Sequence, residues 1–472
     1  FFMASKYLMD AVKGYDAYLL KHGLDESVLQ AYVLATQTAY KDEKDIQYGK
    51  MVAAKAKQLV NDMIRVQTGG TFAQLEEFAQ ENKTDYKILD TYYDILKIEA
   101  RDILDSYMLY VEKDRKRRER FYEPRRKTLK LVTDRLQALE DDELDELFVH
   151  LPARTGKSQE LTLATSWKCA RNTEASNLYV TYKEGLGGAF LDGVMEIWTD
   201  PIYCFSDVFP EAIIVDTDAK NNKVDLQRKK KYKSLSGKGL TSGLNGEYDA
   251  LGWLIIDDIL EGIQDVLSPD VLRRKQIIFD NNVMKRKKEK CKVVYNGTIW
   301  SLHDIYMNRL DFLENNPEAK DIRWDVLKIP ALDPVTDESN FNYEYGVGFS
   351  TEYYRRERAK FEENDDMAGW YAQCQQEPIE RDGAVFNPEH MKFYNGVLPT
   401  EEPYRITAAC DVALGGEDNL AFAVAYMYED GSVYIDDVVF DSSEKKITKP
   451  KVTDMIIDHD VGSAFFEANQ GG

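Results

Sequence analysis

Through the first hundred or so positions apolar residues recur every three or four places with charged residues between them. The stretches are Leu19, Leu20, Leu24, Val28 and Leu29 on to Tyr40, then Met51 to Val66, then Tyr86 to Tyr110. That spacing predicts amphipathic helices, with Gly69-Gly70 as a break. Farther on the pattern changes to short, continuous apolar runs: Leu147 to Leu151, Leu251 to Ile256, and Lys292 to Trp300. Such runs predict strands covered on both faces, as in a parallel sheet. Leu332 to Tyr345 reads as a polar surface loop and Glu352 to Gln375 as helical. Near the end, Arg405 to Cys410 reads as a strand. Asn419 to Tyr428 and Ser432 to Phe440 flank Glu429-Asp430-Gly431, a strong hairpin signal. A helix-compatible stretch from Val452 to Asp458 leads to a last strand at Ser463 to Phe466.

Chemistry-bearing residues stand at the ends of these strands. After Leu147-Phe148-Val149-His150-Leu151 comes Pro152-Ala153-Arg154-Thr155-Gly156-Lys157-Ser158. In such a turn backbone N–H groups cradle a polyphosphate, the lysine reaches its outer phosphates and the hydroxyl is offered to magnesium. The pattern Gly-x-x-x-x-Gly-Lys-[Ser/Thr] would put a glycine where Leu151 stands, so the loop has fewer residues free to take positive φ. The second run ends in Asp257-Asp258, at the carboxyl edge of a sheet, where ligands of doubly wound folds bind. Asp257 is suited to hold magnesium through water, and Asp258 to orient or deprotonate the water attacking the γ-phosphate. A Glu could serve in the same place. Asp is one methylene shorter, so either Asp258 approaches more closely or Glu261 takes the role. Thr298, at the end of the third run, is the candidate sensor of the γ-phosphate. Arg154 is a candidate arginine finger acting in cis; contact with DNA or a neighbouring subunit, with the finger supplied in trans, is the alternative.

A second pair of carboxylates, Asp411 and Glu467, ends two of the C-terminal strands. Brought together they could hold two divalent ions for phosphodiester cleavage. Asp436 and Asp437 lie inside the hairpin's second strand and read as surface charges.

Composition narrows the classes. With 472 residues the chain is long enough for two to four domains. It has no long uninterrupted apolar stretch and no secretory leader, so a membrane span or export is not expected. Five cysteines and five histidines follow no ligand spacing, so metals should be carboxylate-bound. A formal charge of -22 disfavours a uniform nucleic-acid surface. Three basic runs stand against it: Arg115 to Arg118, Arg228 to Lys231, and Lys285 to Lys288. No base-reading module is apparent, so any DNA contact should be independent of sequence.

The ordered segments resemble the large terminase subunit of tailed phages, an ATP-driven DNA-packaging motor and nuclease. The phosphate loop, the apolar run into Asp257-Asp258 preceded by Ser236 to Gly243, and Thr298-Ile299-Trp300-Ser301-Leu302-His303-Asp304 carry the resemblance. So do Gln375-Gln376-Glu377-Pro378 and Asp382-Gly383-Ala384-Val385-Phe386, similar to the junction into the nuclease, and Asp411 with Glu467-x-Asn469. It implies an α/β P-loop ATPase with a mainly parallel sheet flanked by helices, then an RNase H-like nuclease domain. The expected division is an N-terminal helical region over 1–112, ATPase domain 113–375, linker 376–400 and nuclease domain 401–472. The resemblance also implies that Tyr122 and Arg126 contact the adenine and that Thr298 and Trp300 couple hydrolysis to force. Its implied cofactors are ATP with Mg2+, and Mg2+ or Mn2+ for cleavage. Implied partners are double-stranded DNA, the portal protein, the small terminase subunit and further copies in a ring, in the host cytoplasm and transiently on the procapsid. The family supplies a further nuclease carboxylate beyond the position where this chain stops, and the chain starts Phe1-Phe2-Met3; both suggest a fragment with impaired cleavage. A helicase-like or recombination ATPase, and a catalytically idle assembly protein, remain as alternatives.

Overall fold

The protein is described here from a computed structural model, which covers residues 4–243, 248–380, 392, 394, 396–412, 420–441 and 443–467. The chain forms two compact units, Phe1–Gly383 and Ala384–Gly472.

The first unit is built on an eight-stranded sheet. Its strands are β1 (Glu146–His150), β2 (Asn177–Thr181), β3 (Ile214–Asp218), β4 (Lys223–Leu226), β5 (Leu235–Gly239), β6 (Trp253–Asp257), β7 (Lys292–Asn296) and β8 (Trp324–Lys328). The spatial order is β3-β4-β5-β2-β6-β7-β1-β8. All pairs are parallel except β3 with β4 and β4 with β5. Alternation along the strands divides the core between two faces. Leu147, Val149, Tyr179, Ile255 and Val294 pack with Leu129, Leu161, Trp167 and Val194 from helices on one side. Phe148, Leu178, Val180, Leu254, Ile256 and Tyr295 pack with Leu272, Phe279, Ile305 and Leu310 on the other. Burial on both faces is why these strands read as unbroken apolar runs.

Strand β5 runs through part of the Gly-rich stretch that precedes the second motif. Its glycines serve packing: a Cβ on Gly237 would lie 2.1 Å from the Gly187 carbonyl oxygen, and one on Gly187 would lie 2.7 Å from the Lys238 nitrogen. Helix Glu184–Thr199 thus crosses β5 backbone against backbone.

Up to Val111 the chain forms the α-helices Lys6–His22, Glu26–Gln37, Ile46–Thr68, Phe72–Asn82, Lys87–Glu99 and Leu104–Val111, and helix Tyr122–Glu140 leads into β1. The predicted break after the third is there, with Gly69 capping it at φ 71°. The predicted helix from Tyr86 to Tyr110 is two helices. These elements join the rest of the unit through buried ions: Glu76 accepts from Arg117 at 3.0 Å and from Arg120 at 2.7 Å, and both guanidiniums also reach Glu123 at 2.6 Å. No helix among the described residues is long and apolar enough to cross a membrane.

The second unit has a four-stranded sheet of β9 (Arg405–Asp411), β10 (Leu420–Met427), β11 (Val433–Asp441) and β12 (Ser463–Phe466), ordered β11-β10-β9-β12. Strands β9, β10 and β11 are antiparallel neighbours, whereas β12 runs parallel to β9. The hairpin turn falls where Asp430-Gly431 predicts it, with Gly431 at φ 85°. Helix Lys445–Asp458 packs Val452 and Met455 against Ala408, Cys410, Phe422 and Val424. Gly415-Gly416 between the first two of these strands, the start of the hairpin at Asn419, the junction Asp382 to Phe386 and Asn469 lie outside the described residues.

Candidate active site

Strand β1 ends at His150 and helix Lys157–Arg171 begins seven positions on, so residues 151–156 form a tight turn at the sheet's carboxyl edge. Leu151, where a glycine would complete the usual pattern, is fully buried in the core. Gly156 is required twice over. Its φ is 108°, and a Cβ there would lie 2.9 Å from the Phe121 ring. Thr155 Oγ1 donates to the Pro152 carbonyl at 2.8 Å, bracing the turn. Ala153 and Arg154 are exposed, Arg154 with φ 63°. Among the described residues no side chain caps the start of the helix, so its first amides have no side-chain acceptor.

The three predicted motifs meet at Lys157. Its buried ammonium donates to Thr298 Oγ1 at 2.6 Å and pairs with Asp258 Oδ1 at 3.0 Å. The sheet order explains the meeting: β7 lies between β6 and β1, so the turn after β7 sits beside both other strand ends. The Thr298 amide also donates to Asp258 Oδ1, at 3.3 Å. Asp257 is buried one position earlier, accepting from the Tyr179 hydroxyl at 2.7 Å and from Asn296 Nδ2 at 2.6 Å. Burial, then the adjacent Asp258 charge, pushes Asp257 up to about 6, with Lys157 acting the other way. Ser158 is half-buried in the first turn of the loop helix. The carboxylate paired with the lysine is that of Asp258; Glu261 is exposed, and its backbone amide donates to Asp265.

Two residues expected at the adenine face elsewhere. Tyr122 is fully buried with its hydroxyl donating to Asp105 at 2.7 Å, and Arg126 forms a two-bonded pair with the same carboxylate. Their neighbours Phe121 and Arg125 are the ones against Gly156, with the Arg125 guanidinium 4.7 Å from the Phe121 ring centre. Within this segment it is therefore Phe121 and Arg125, not Tyr122 and Arg126, that adjoin the turn.

Sequence reasoning did not find the groups that hold these strand ends. His150 Nδ1–H donates to the Gly297 carbonyl at 2.9 Å, and burial lowers His150 to about 4, which keeps it neutral. Asp304, pushed up to about 6 by burial, accepts from the amides of Trp300, Tyr306 and Met307. That cap fixes Trp300 in the turn leading to helix Ile305–Asn315. Strand-end spacing carries no signal for a partner as distant in sequence as that of His150.

In the second unit Asp411 and Glu467 end neighbouring parallel strands. Cys410 pairs with Phe466, and the Glu467 amide donates to the Cys410 carbonyl at 2.9 Å, so the two carboxylate residues stand side by side and exposed. No cluster of three or more His, Cys, Asp or Glu suited to a metal occurs among the described residues. Asp436 accepts from the Tyr394 hydroxyl at 2.8 Å, consistent with a local role.

Much of each basic run is spent on acidic neighbours. Arg117 serves Glu76 and Glu123, Arg228 pairs with Glu174, Lys229 with Asp216, Lys287 with Glu146 and Lys288 with Asp249.

No protein-family model matches the sequence, and no curated protein matches it. Among solved structures the chain is similar to the large terminase from a thermophilic bacteriophage in complex with ADP, at 13% identity over 72% of this chain and 76% of that one, with a TM-score of 0.33. The same thermophilic-phage protein in complex with ATP-gamma-S gives 13% identity, the same coverage and a TM-score of 0.30. The HK97 bacteriophage large terminase gives 10% identity over 72% of this chain and 69% of that one, with a TM-score of 0.39.

Proposed function

We propose that this chain is the large terminase subunit of a tailed phage, a motor that hydrolyses ATP to drive double-stranded DNA into a procapsid. One observation carries the ATPase reading: the Lys157 ammonium lies within reach of both Asp258 and Thr298, with Asp257 buried alongside. A turn lysine, a strand-end carboxylate pair and a strand-end hydroxyl converging from three parallel strands are the parts that phosphoryl transfer needs.

The amides of the turn and of the uncapped helix start bind the phosphates, and Lys157 neutralises the outer ones. Asp258 accepts a hydrogen bond from the attacking water and takes its proton as the water oxygen bonds to the γ-phosphorus. The bond from that phosphorus to the bridging oxygen breaks, and the oxygen leaves with ADP. Thr298, already bonded to Lys157, senses whether the γ-phosphate is present. Ser158 and Asp257 are oxygen donors at the same sheet edge and suit a hard divalent cation. Magnesium bound there would offset the charge that develops on the phosphates. Phe121 with Arg125 stacked on it forms an apolar, cationic wall beside Gly156 that suits a purine base. Arg154, exposed in the turn, acts as the arginine finger in cis.

The second unit we assign to metal-dependent cleavage of DNA by an RNase H-like fold, with Asp411 and Glu467 as ligands for Mg2+ or Mn2+; their adjacency on parallel strands supports it. The portal protein, the small terminase subunit and further copies of this chain are the partners such a motor requires.

ATP turnover by the full chain, compared with Lys157→Ala, tests the motor; equal rates would remove it. Plasmid cleavage in manganese, compared with Asp411→Ala, tests the nuclease, and cutting indifferent to that change would remove it.

A further inference from the structure

Asp258 has a backbone φ of 41°, a left-handed conformation unfavourable for a residue with a Cβ. Such geometry persists only where the surroundings over-determine it, and it gathers at functional sites. Here the restraints come from three sides. The Asp258 amide donates to the Asn296 carbonyl at 2.9 Å, and its carbonyl accepts from the Tyr182 amide at 3.3 Å. The third side is Tyr306. Its hydroxyl accepts from the Ile259 amide and donates to the same Asn296 carbonyl, both at 3.1 Å.

We propose that Tyr306 is a positioning residue for ATP hydrolysis, its hydroxyl bridging the ends of β6 and β7 so that the turn after Asp257 aims the short Asp258 side chain at Lys157 and the attacking water. This role rests on the assignment of Asp258 to that water. Asp has one methylene fewer than Glu, so backbone direction must supply the aim that side-chain length does not. Tyr306 is suited to the task. It is 1% exposed, and the Asp304 cap binds its amide, fixing the ring at the first turn of its helix. Gly297 is a glycine for the same reason: a Cβ there would lie 2.4 Å from the Tyr306 hydroxyl. The bridge touches none of residues 152–158. Its loss should therefore reach the chemistry and spare nucleotide binding.

The test compares the full-length wild type with Tyr306→Phe, Gly297→Ala, Asp258→Asn and the double variant Tyr306→Phe/Asp258→Asn. Turnover and affinity for a non-hydrolysable ATP analogue are measured separately. Tyr306→Phe removes one oxygen and should lower kcat about tenfold, the loss of one well-made hydrogen bond in the transition state, with analogue affinity unchanged. Gly297→Ala displaces the hydroxyl without removing it and should lower kcat in the same way, which keeps the test open if Tyr306→Phe folds poorly. In the Asp258→Asn background Tyr306→Phe should have no further effect, because a residue acting through Asp258 has nothing left to position. An unchanged kcat in Tyr306→Phe, an equal fall in kcat and affinity, or an additive double variant would each overturn the role. Should Lys157→Ala and Asp258→Asn both turn over ATP at the wild-type rate, the ATPase assignment itself fails, a result distinct from those three.

Discussion

Lowering the pH from 8 to 5 should destabilise the protein through His150 in particular. The imidazole is fully buried at the end of β1, donates from Nδ1 to the Gly297 carbonyl, and has no hydrogen-bond partner at Nε2 among the described residues. Burial lowers its folded-state value to about 4, against 6.5 for an unperturbed histidine. A base that is harder to protonate when folded binds more protons in the unfolded chain. Its contribution is therefore intact above about pH 6.5, declines as the pH falls through the window between the two values, and is fully lost below about 4. With those two values the loss is about 1 kcal/mol at pH 6 and about 2 kcal/mol at pH 5. Other buried groups titrate too, so the measurement is a difference. Urea denaturation of the wild type and of His150→Asn, whose amide can still donate to Gly297, should give a stability gap that is flat from pH 8 to 7. The gap should then move in favour of the variant by about 2 kcal/mol at pH 5. A gap that stays constant down to pH 5 would show that His150 protonates as easily folded as unfolded, refuting the burial argument.

Phe121→Ala should raise the KM for ATP by up to about tenfold with little change in kcat, because it removes a base-facing wall and no reacting group. Tyr122→Phe should do the reverse of what its sequence position suggests: KM unchanged, and thermal denaturation showing about 1 kcal/mol lost with the Asp105 hydrogen bond. Gly187→Ala should destabilise by about 1–3 kcal/mol in urea, since the added methyl meets the β5 backbone and has no flexible side chain to push aside.

The strand ends that meet at Lys157 were legible because burial on two faces leaves an unambiguous apolar run that stops at a charged or polar residue. The segment around Phe121 to Arg126 lies beside Gly156, but which of its residues point there was not readable from the sequence. Which of Phe121 or Tyr122 faces the turn depends on how helix Tyr122–Glu140 rolls against the sheet, and both choices offer an aromatic followed four residues later by arginine. Strand β5 was not predicted, because Leu235-Ser236-Gly237-Lys238-Gly239 has little strand propensity of its own. Its neighbours impose the extended form. Tyr179, Asn296, His150 and Tyr306 were illegible for a different reason: each acts on a partner brought close only by the order of the sheet, and no local spacing encodes that order. The first two helices were read as one run from Leu19, and the Asp25 side chain that caps the second, accepting from the Val28 amide, marks where they part.

The buried ions around Glu76 bear on how the molecule can be dissected. A cut between residues 112 and 113 looks natural from the change in pattern, yet it would leave Arg117 and Arg120 on one piece and their shared carboxylate on the other. Two guanidiniums packed for a dry environment would then meet solvent beside Phe121, at the rim of the turn before Lys157. A working excision of the sheet would have to carry helix Phe72–Asn82 with it, or replace both arginines with residues content to be wet.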